Sequence, residues 1–488
     1  MQRAGRNFGG LAACCVFVGG LHAATPAEAV REWRLAREKG ILAEYVEFLS
    51  IPNVARDIER PYIGRNADWI VGAFKKRSIE ARKLIVANAP PTVFAEWKVP
   101  GATQTVMFYA HYDGQPVDAS KWTVTDPWTP KLVDGRMYGR SSSDDKAPIL
   151  MLLTAIDAIK ASGVAPKSNI KFFFDGEEEI SSPHVRETLA GNKEILDADV
   201  WLFCDGPQHA SRRDQIVFGA RGVVGFELTV YGADRELHSG HYGNWAPNPA
   251  QMLVTLAASM RNDDGLVLID GFENGLVPLS AGEKAAIAEA PDVSEEWAKE
   301  LGLGRTLGAG ERMEMLVNRP VLNLRGLSSA AVGRAARNVV PASATASFDI
   351  RLVKGVDVKA AIERVITHVR GRGYYVVTKD PDLDTLRKYP KVAKITAEAG
   401  YNAVRTSMDL PIAKNVIRAV EAARGPVLKV PTLGGSLPMA VFEEVLARPL
   451  IIIPTVNHDN NQHSHNENLR MENFWAGMET MAALLAMD

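Results

Sequence analysis

Short apolar runs alternate with longer stretches that are apolar nearly all round, and the short runs share an ending. Residues 106–110 (VMFYA) stop at His111-Tyr112-Asp113-Gly114, and 169–174 (NIKFFF) stop at Asp175-Gly176-Glu177-Glu178-Glu179. Residues 199–204 (DVWLFC) stop at Asp205, and 450–453 (LIII) stop at Pro454 and lead into the histidine-rich 458–467. Runs of this length, apolar throughout, suit strands buried on both faces. Between them, 147–161 reads as a buried helix, with Pro148 near its start where proline is tolerated. Strands alternating with helices predict an α/β fold, a mostly parallel mixed sheet with helices on both faces.

The middle of the chain reads differently. From about Ala220 the pattern alternates, as in 225–231 and 344–352, and a helix over 358–370 leads to a strand over 374–378. This predicts an α+β domain over 220–405 inserted between catalytic segments 24–219 and 406–488. Residues 262–318 are polar and helix-rich, an insertion within the insertion.

The first 23 residues read as a signal peptide. Arg3 and Arg6 supply a positive start, 11–20 is apolar and small, and Leu21-His22-Ala23 resembles a cleavage site. The apolar run before Cys14 is short for a lipid-attachment box. Export to the periplasm or outside follows, and of three cysteines only Cys204 would remain. Lys+Arg total 56 against 58 Asp+Glu, which lacks the basic excess of a nucleic-acid binder. No later stretch is long and apolar enough to span a bilayer.

Strand ends decide the chemistry, because ligands of open α/β sheets bind beyond the carboxyl ends of the strands. Four predicted strands deliver His111, Asp113, Glu178, Glu179, Asp205 and His463 to that edge, and Asp144 joins them. Histidine with carboxylate and no thiolate suits Zn²⁺, Mn²⁺ or Co²⁺. The set is too large for one tetrahedral ion and about enough for two. Two ions roughly 3.5–4 Å apart need a shared carboxylate, a water and a base. Of adjacent Glu178 and Glu179, one can ligate while the other stays free as the base. Cys204 reads as a small core residue, and Ser141-Ser142-Ser143 has no nearby base pattern.

The chain resembles the co-catalytic zinc metallopeptidase family of carnosinase-type dipeptidases, aminoacylases, glutamate carboxypeptidase and succinyl-diaminopimelate desuccinylase. The resemblance is carried by 48–52 (FLSIP), 110–114 (AHYDG), Trp122 with 126–128 (DPW), 139–146 (GRSSSDDK) and 176–179 (GEEE). It continues through 237–240 (LHSG), 338–341 (NVVP), 350–352 (IRL), 434–438 (GGSLP) and 463–467 (HSHNE). It implies two divalent ions, most commonly zinc, with Asp144 bridging, His111 and Asp205 on one, and Glu179 and His463 on the other. It further implies Glu178 as general base, Asp113 as the carboxylate orienting His111, and a cis bond between Asp144 and Asp145. The insertion becomes a lid and dimerisation domain, with His238 reaching a partner subunit's site in a homodimer. Arg351, with Asn338, Gly435 and Ser436, would hold the substrate's carboxylate. The chain has Ser141, Ala147 and Ser181 where the family usually has glycine. His241, His458 and His465 read as loop residues.

The expected activity is hydrolysis of dipeptides or short peptides next to a free C-terminal residue. The alternative is an N-acyl-amino-acid amidohydrolase with the same metals and base. A non-catalytic binder would have no use for Glu178.

Overall fold

The computed structural model describes residues 25–56 and 61–487, so the signal reading at 1–23 and Cys14 lie outside the described residues. Thr105–His111, Asn169–Asp175, Val200–Phe203 and Leu450–Ile452 are the strands read from the sequence. They form the parallel centre of an eight-stranded sheet in the order 169–175, 105–111, 200–203, 450–452. Antiparallel strands Thr92–Trp97 and Glu80–Leu84 extend one side. On the other, Gln215–Val217 meets Ile452 in antiparallel fashion and pairs in parallel with Leu428–Val430. All four central strands therefore end on one edge.

Helices cover both faces. Lys146–Ser162 is buried along most of its length and packs on Met471–Leu485. Its first residue, Lys146, is wholly buried and donates Nζ to the carbonyls of Phe48 and Ile51 (2.9 and 2.7 Å). That bond fastens the helix start, just past Asp144, to the helix Glu38–Leu49. The opposite face is aromatic, with Phe442 edge-on to Tyr109, Phe173 and Phe203.

The insertion forms a second sheet in the order Val321–Ser328, Ser343–Leu352, Gly222–Tyr231, Val392–Ala397, Tyr375–Val377. Helices Pro249–Ala258 and Val358–Gly371 pack against it. The predicted strands and helix of this region are present, joined by Val321–Ser328 and Val392–Ala397, which the sequence reading passes over. Residues 262–318 contain Ala281–Glu289, Ser294–Glu300 and Met313–Leu316, in keeping with a helix-rich insertion. A three-stranded antiparallel sheet of Lys131–Val133, Arg136–Tyr138 and Asn468–Arg470 ties the C-terminal segment to the loop before Asp144.

Candidate functional site

His111 ends its strand, and its backbone N–H donates to Asp145 Oδ2 (3.1 Å). After Asp175 the chain turns sharply, because Asp175 Oδ1 accepts from the N–H groups of Gly176 and Glu177. A Cβ on Gly176 would stand 2.4 Å from the Tyr112 hydroxyl, so the turn demands glycine. The chain then enters a short 3₁₀ turn, Glu178–Ile180, which places the two glutamates. Asp113 fixes their backbone, accepting from Glu178 N–H on Oδ1 (3.1 Å) and Glu179 N–H on Oδ2 (2.9 Å). The same Oδ1 lies 3.3 Å from His111 Nδ1. Asp113 thus holds both glutamates as well as His111.

Asp144 is held from behind by Glu467. This fully buried carboxylate accepts from the N–H groups of Ser141, Ser143 and Asp144 (2.9 Å each), the Ser143 hydroxyl (2.8 Å) and Arg140 Nη1 (2.7 Å). The Asp144–Asp145 bond is cis.

Around Asp144 two groups converge, His111–Asp144–Asp205 and Asp144–Glu179–His463, in each of which one ligand atom per residue lies within 4.8 Å of the others. His111 Nε2 is 3.0 Å from Asp144 Oδ1 and 3.9 Å from Asp205 Oδ2. His463 Nε2 is 3.1 Å from Asp144 Oδ2 and 3.2 Å from Glu179 Oε2. Each oxygen of Asp144 therefore faces a different imidazole. Glu178 belongs to neither group, and its Oε2 is 4.0 Å from His111 Nε2. Gln115 Nε2 donates to Glu179 Oε2 (2.7 Å).

The electrostatics call for cations. Burial pushes the Glu178 carboxyl well above its ordinary range, helped by Asp205 and Glu179. Burial likewise raises Glu179 and Asp145, and takes Asp205 to about 6. Hydrogen bonds donated to Asp144 and Glu179 raise His463 to about 10, and for His111 the lowering by burial is outweighed by the carboxylates of Asp113 and Asp144. Two imidazoles are few counter-charges for this many carboxylates. His111 Nε2, buried and pointed at its neighbours, makes no properly directed hydrogen bond. Crowded oxygens and an orphaned imidazole nitrogen fit divalent metal ions held by nitrogen and oxygen.

Arg351 donates Nη1 to Ser436 Oγ (2.9 Å) and Nε to Asp349 (3.0 Å), joining the insertion to the catalytic part. Arg221, missed in the sequence, donates its N–H to the Gly435 carbonyl (3.3 Å). Its pKa falls to about 10, through burial and the charge of Arg351. Tyr401 is a second missed residue. Burial raises its phenol to about 12, with Glu178 adding to the shift and Arg351 opposing it. His238 does not reach the cluster within its own chain: it is exposed, accepts from Gly240 N–H (3.1 Å) and contacts the His241 ring. Asn338 is exposed, and its carbonyl accepts from Ser239 N–H beside His238 (2.9 Å). His458 and His465 are exposed loop residues; His241 is exposed too, but it sits in the short helix Ser239–Tyr242 rather than in a loop, and Cys204 is buried core.

A carboxylate shared by two ligand groups, with a glutamate beside them that belongs to neither, is the arrangement of a metal-dependent hydrolase. A family model described as Peptidase family M20/M25/M40 matches residues 107–487, and the chain belongs to that family. It is 28% identical over 451 residues to the Cys-Gly metallodipeptidase dug1 of Schizosaccharomyces pombe, covering 88% of this chain and 92% of that protein. It is 28% identical over 405 residues to the Beta-Ala-His dipeptidase of Homo sapiens, covering 81% and 76%. The M20 family metallo-carboxypeptidase Sso-CP2 from Sulfolobus solfataricus superposes with a TM-score of 0.76 at 25% identity, over 92% of this chain and 98% of that one.

Proposed function

We propose that this chain is a dipeptidase cleaving the amide next to a free C-terminal residue, with two divalent ions, most commonly zinc, in the paired ligand groups. The observation that carries this reading is Glu178, held by Asp113 beside both groups and a member of neither. Bound divalent ions supply Lewis-acid polarisation of the carbonyl and lower the pKa of water. Glu178 takes the proton of the attacking water and returns it to the leaving amine. Arg351, steadied by Asp349 and Ser436, offers a planar fork to the substrate's carboxylate, and buried Arg221 adds positive potential behind it.

Two relatives described above are dipeptidases by name, which favours dipeptides over N-acyl amino acids. His238, exposed and away from its own cluster, serves the partner's site in a homodimer joined through the insertion. The protein is exported. The test of substrate class compares a dipeptide with its C-terminal amide on metal-loaded protein. The dipeptide is expected to be cut at least about tenfold faster, the worth of roughly one charge-assisted hydrogen bond. Equal rates would remove the role given to Arg351, and faster turnover of N-acyl amino acids than of every dipeptide would establish the acylase alternative.

A further inference from the structure

A cavity of about 450 Å³ separates the edge of the catalytic sheet from the helices of the insertion. One wall continues chain that serves the active site: Pro207 lies two residues past Asp205, and Gly434 immediately precedes Gly435 and Ser436. The facing wall comes from Ala281–Glu289, Ser294–Glu300 and Met313–Leu316, through Ile287, Trp297 and Met313. Its surface is almost wholly apolar. The Glu314 carboxylate, ion-paired with Arg312 Nε (3.5 Å), and the Asn318 amide oxygen sit behind that surface, shut off from water. Trp297 and Met313 keep 37% and 36% of their surface exposed, apolar area that gains by being covered. The volume falls within the roughly 300–1,000 Å³ of small-molecule sites.

We infer that this cavity receives the side chain of the substrate's amino-terminal residue, and that the preferred dipeptides carry a large apolar residue there. The inference rests on the dipeptidase reading above. With the carboxylate end held by Arg351 and Ser436, the ammonium end is repelled by the two guanidiniums and drawn to the carboxylates. Of these, Asp205 is the one whose chain runs on into the cavity wall. A large apolar side chain on the amino-terminal residue leaves water by entering the cavity, whereas a small one gains little from it.

The experiment measures kcat/KM on metal-loaded protein for X-Gly dipeptides, with X as Ala, Val, Leu, Phe and Trp, and for the reversed Gly-X series. From Ala-Gly to Phe-Gly the value is expected to rise at least about tenfold, within the roughly 10–200-fold that hydrophobic pockets discriminate. The Gly-X series is expected to stay nearly flat. Ala290→Phe fills the cavity and lowers the ratio of Phe-Gly to Ala-Gly by at least about tenfold on the same scale. Met313→Trp, at the half-exposed rim, is expected to lower that ratio too, and serves where the first variant fails to fold. A flat X-Gly series, a preference confined to Gly-X, or a ratio unmoved by a folded variant overturns the inference and leaves the dipeptidase reading standing. Hydrolysis of no dipeptide overturns both.

Discussion

Glu467→Gln keeps the volume of a fully buried side chain and removes its charge. Five donors converge on the carboxylate: three backbone N–H groups, the Ser143 hydroxyl and Arg140. The amide turns one of its two ends into a donor, so it either opposes Ser141 and Arg140 or opposes Ser143 and Asp144. Arg140 is itself 2% exposed, so it is left as a buried charge without its partner. Breaking a buried pair from one side costs about 3–5 kcal/mol, the larger share of it the uncompensated charge. Asp144 loses its backbone anchor in the same stroke, and loss of such outer support typically weakens metal binding about 10–100-fold. Denaturant titration of the metal-free protein reads the first effect, and calorimetric titration with Zn²⁺ or Mn²⁺ reads the second. Arg140→Met combined with Glu467→Gln should cost less than the two single changes added together. Wild-type metal affinity with a stability loss below about 0.5 kcal/mol would refute the reasoning, since that is the scale of an ordinary surface change.

Glu178→Gln should keep its metal and lose about 10²–10⁴-fold in turnover, whereas Asp144→Asn should lose metal from both groups, as metal analysis beside kinetics will tell. Asp205 binds its proton more tightly folded than unfolded, at about 6 against 3.8. Metal-free wild type should therefore lose stability relative to Asp205→Asn as pH rises from about 4 to about 6, and metal affinity should fall as pH drops through about 6. Ser181 sits at φ 69° with an exposed side chain, so Ser181→Gly should stabilise by up to about 1 kcal/mol in thermal unfolding. Ser141, at φ 60°, accepts from Asn53 (2.9 Å), and Ser141→Gly should gain less. Mixing His238→Ala with Glu178→Gln, each inactive alone, should restore activity once subunits exchange; confirmed exchange without recovery would exclude catalysis across subunits.

The site was legible where one residue type ended one strand. His111, Glu179 and Asp205 follow apolar runs long enough to be read, and the parallel centre of the sheet aligns their ends. Gln215–Val217 and Leu428–Val430 were not legible, because Gln215 and Lys429 break the short apolar runs that made the equally short Leu450–Ile452 stand out. Glu467 was visible as part of a motif, yet nothing in its spacing tells that it holds Asp144 rather than a metal. Arg221 and Tyr401 lie where the insertion leaves and rejoins the catalytic part. Chain crossings of that kind put side chains beside a site from which they are distant in sequence. The place of Asn338 beside His238 was not legible for a related reason: it depends on a two-residue ladder.

Leu450–Ile452 lies between Val200–Phe203 and Gln215–Val217, strands that precede the whole insertion. On the ribosome, then, the middle of this sheet is filled last. Until residue 450 of 488 is made, both neighbours present unpaired edges, an invitation to wrong partners. The segment that closes the gap also delivers His463 and Glu467, hence the imidazole of one ligand group and the anchor of the carboxylate that both groups share. A nascent or prematurely terminated chain is accordingly both aggregation-prone and unable to assemble its ligand set. Interrupted translation yields material for quality control and no stray peptidase.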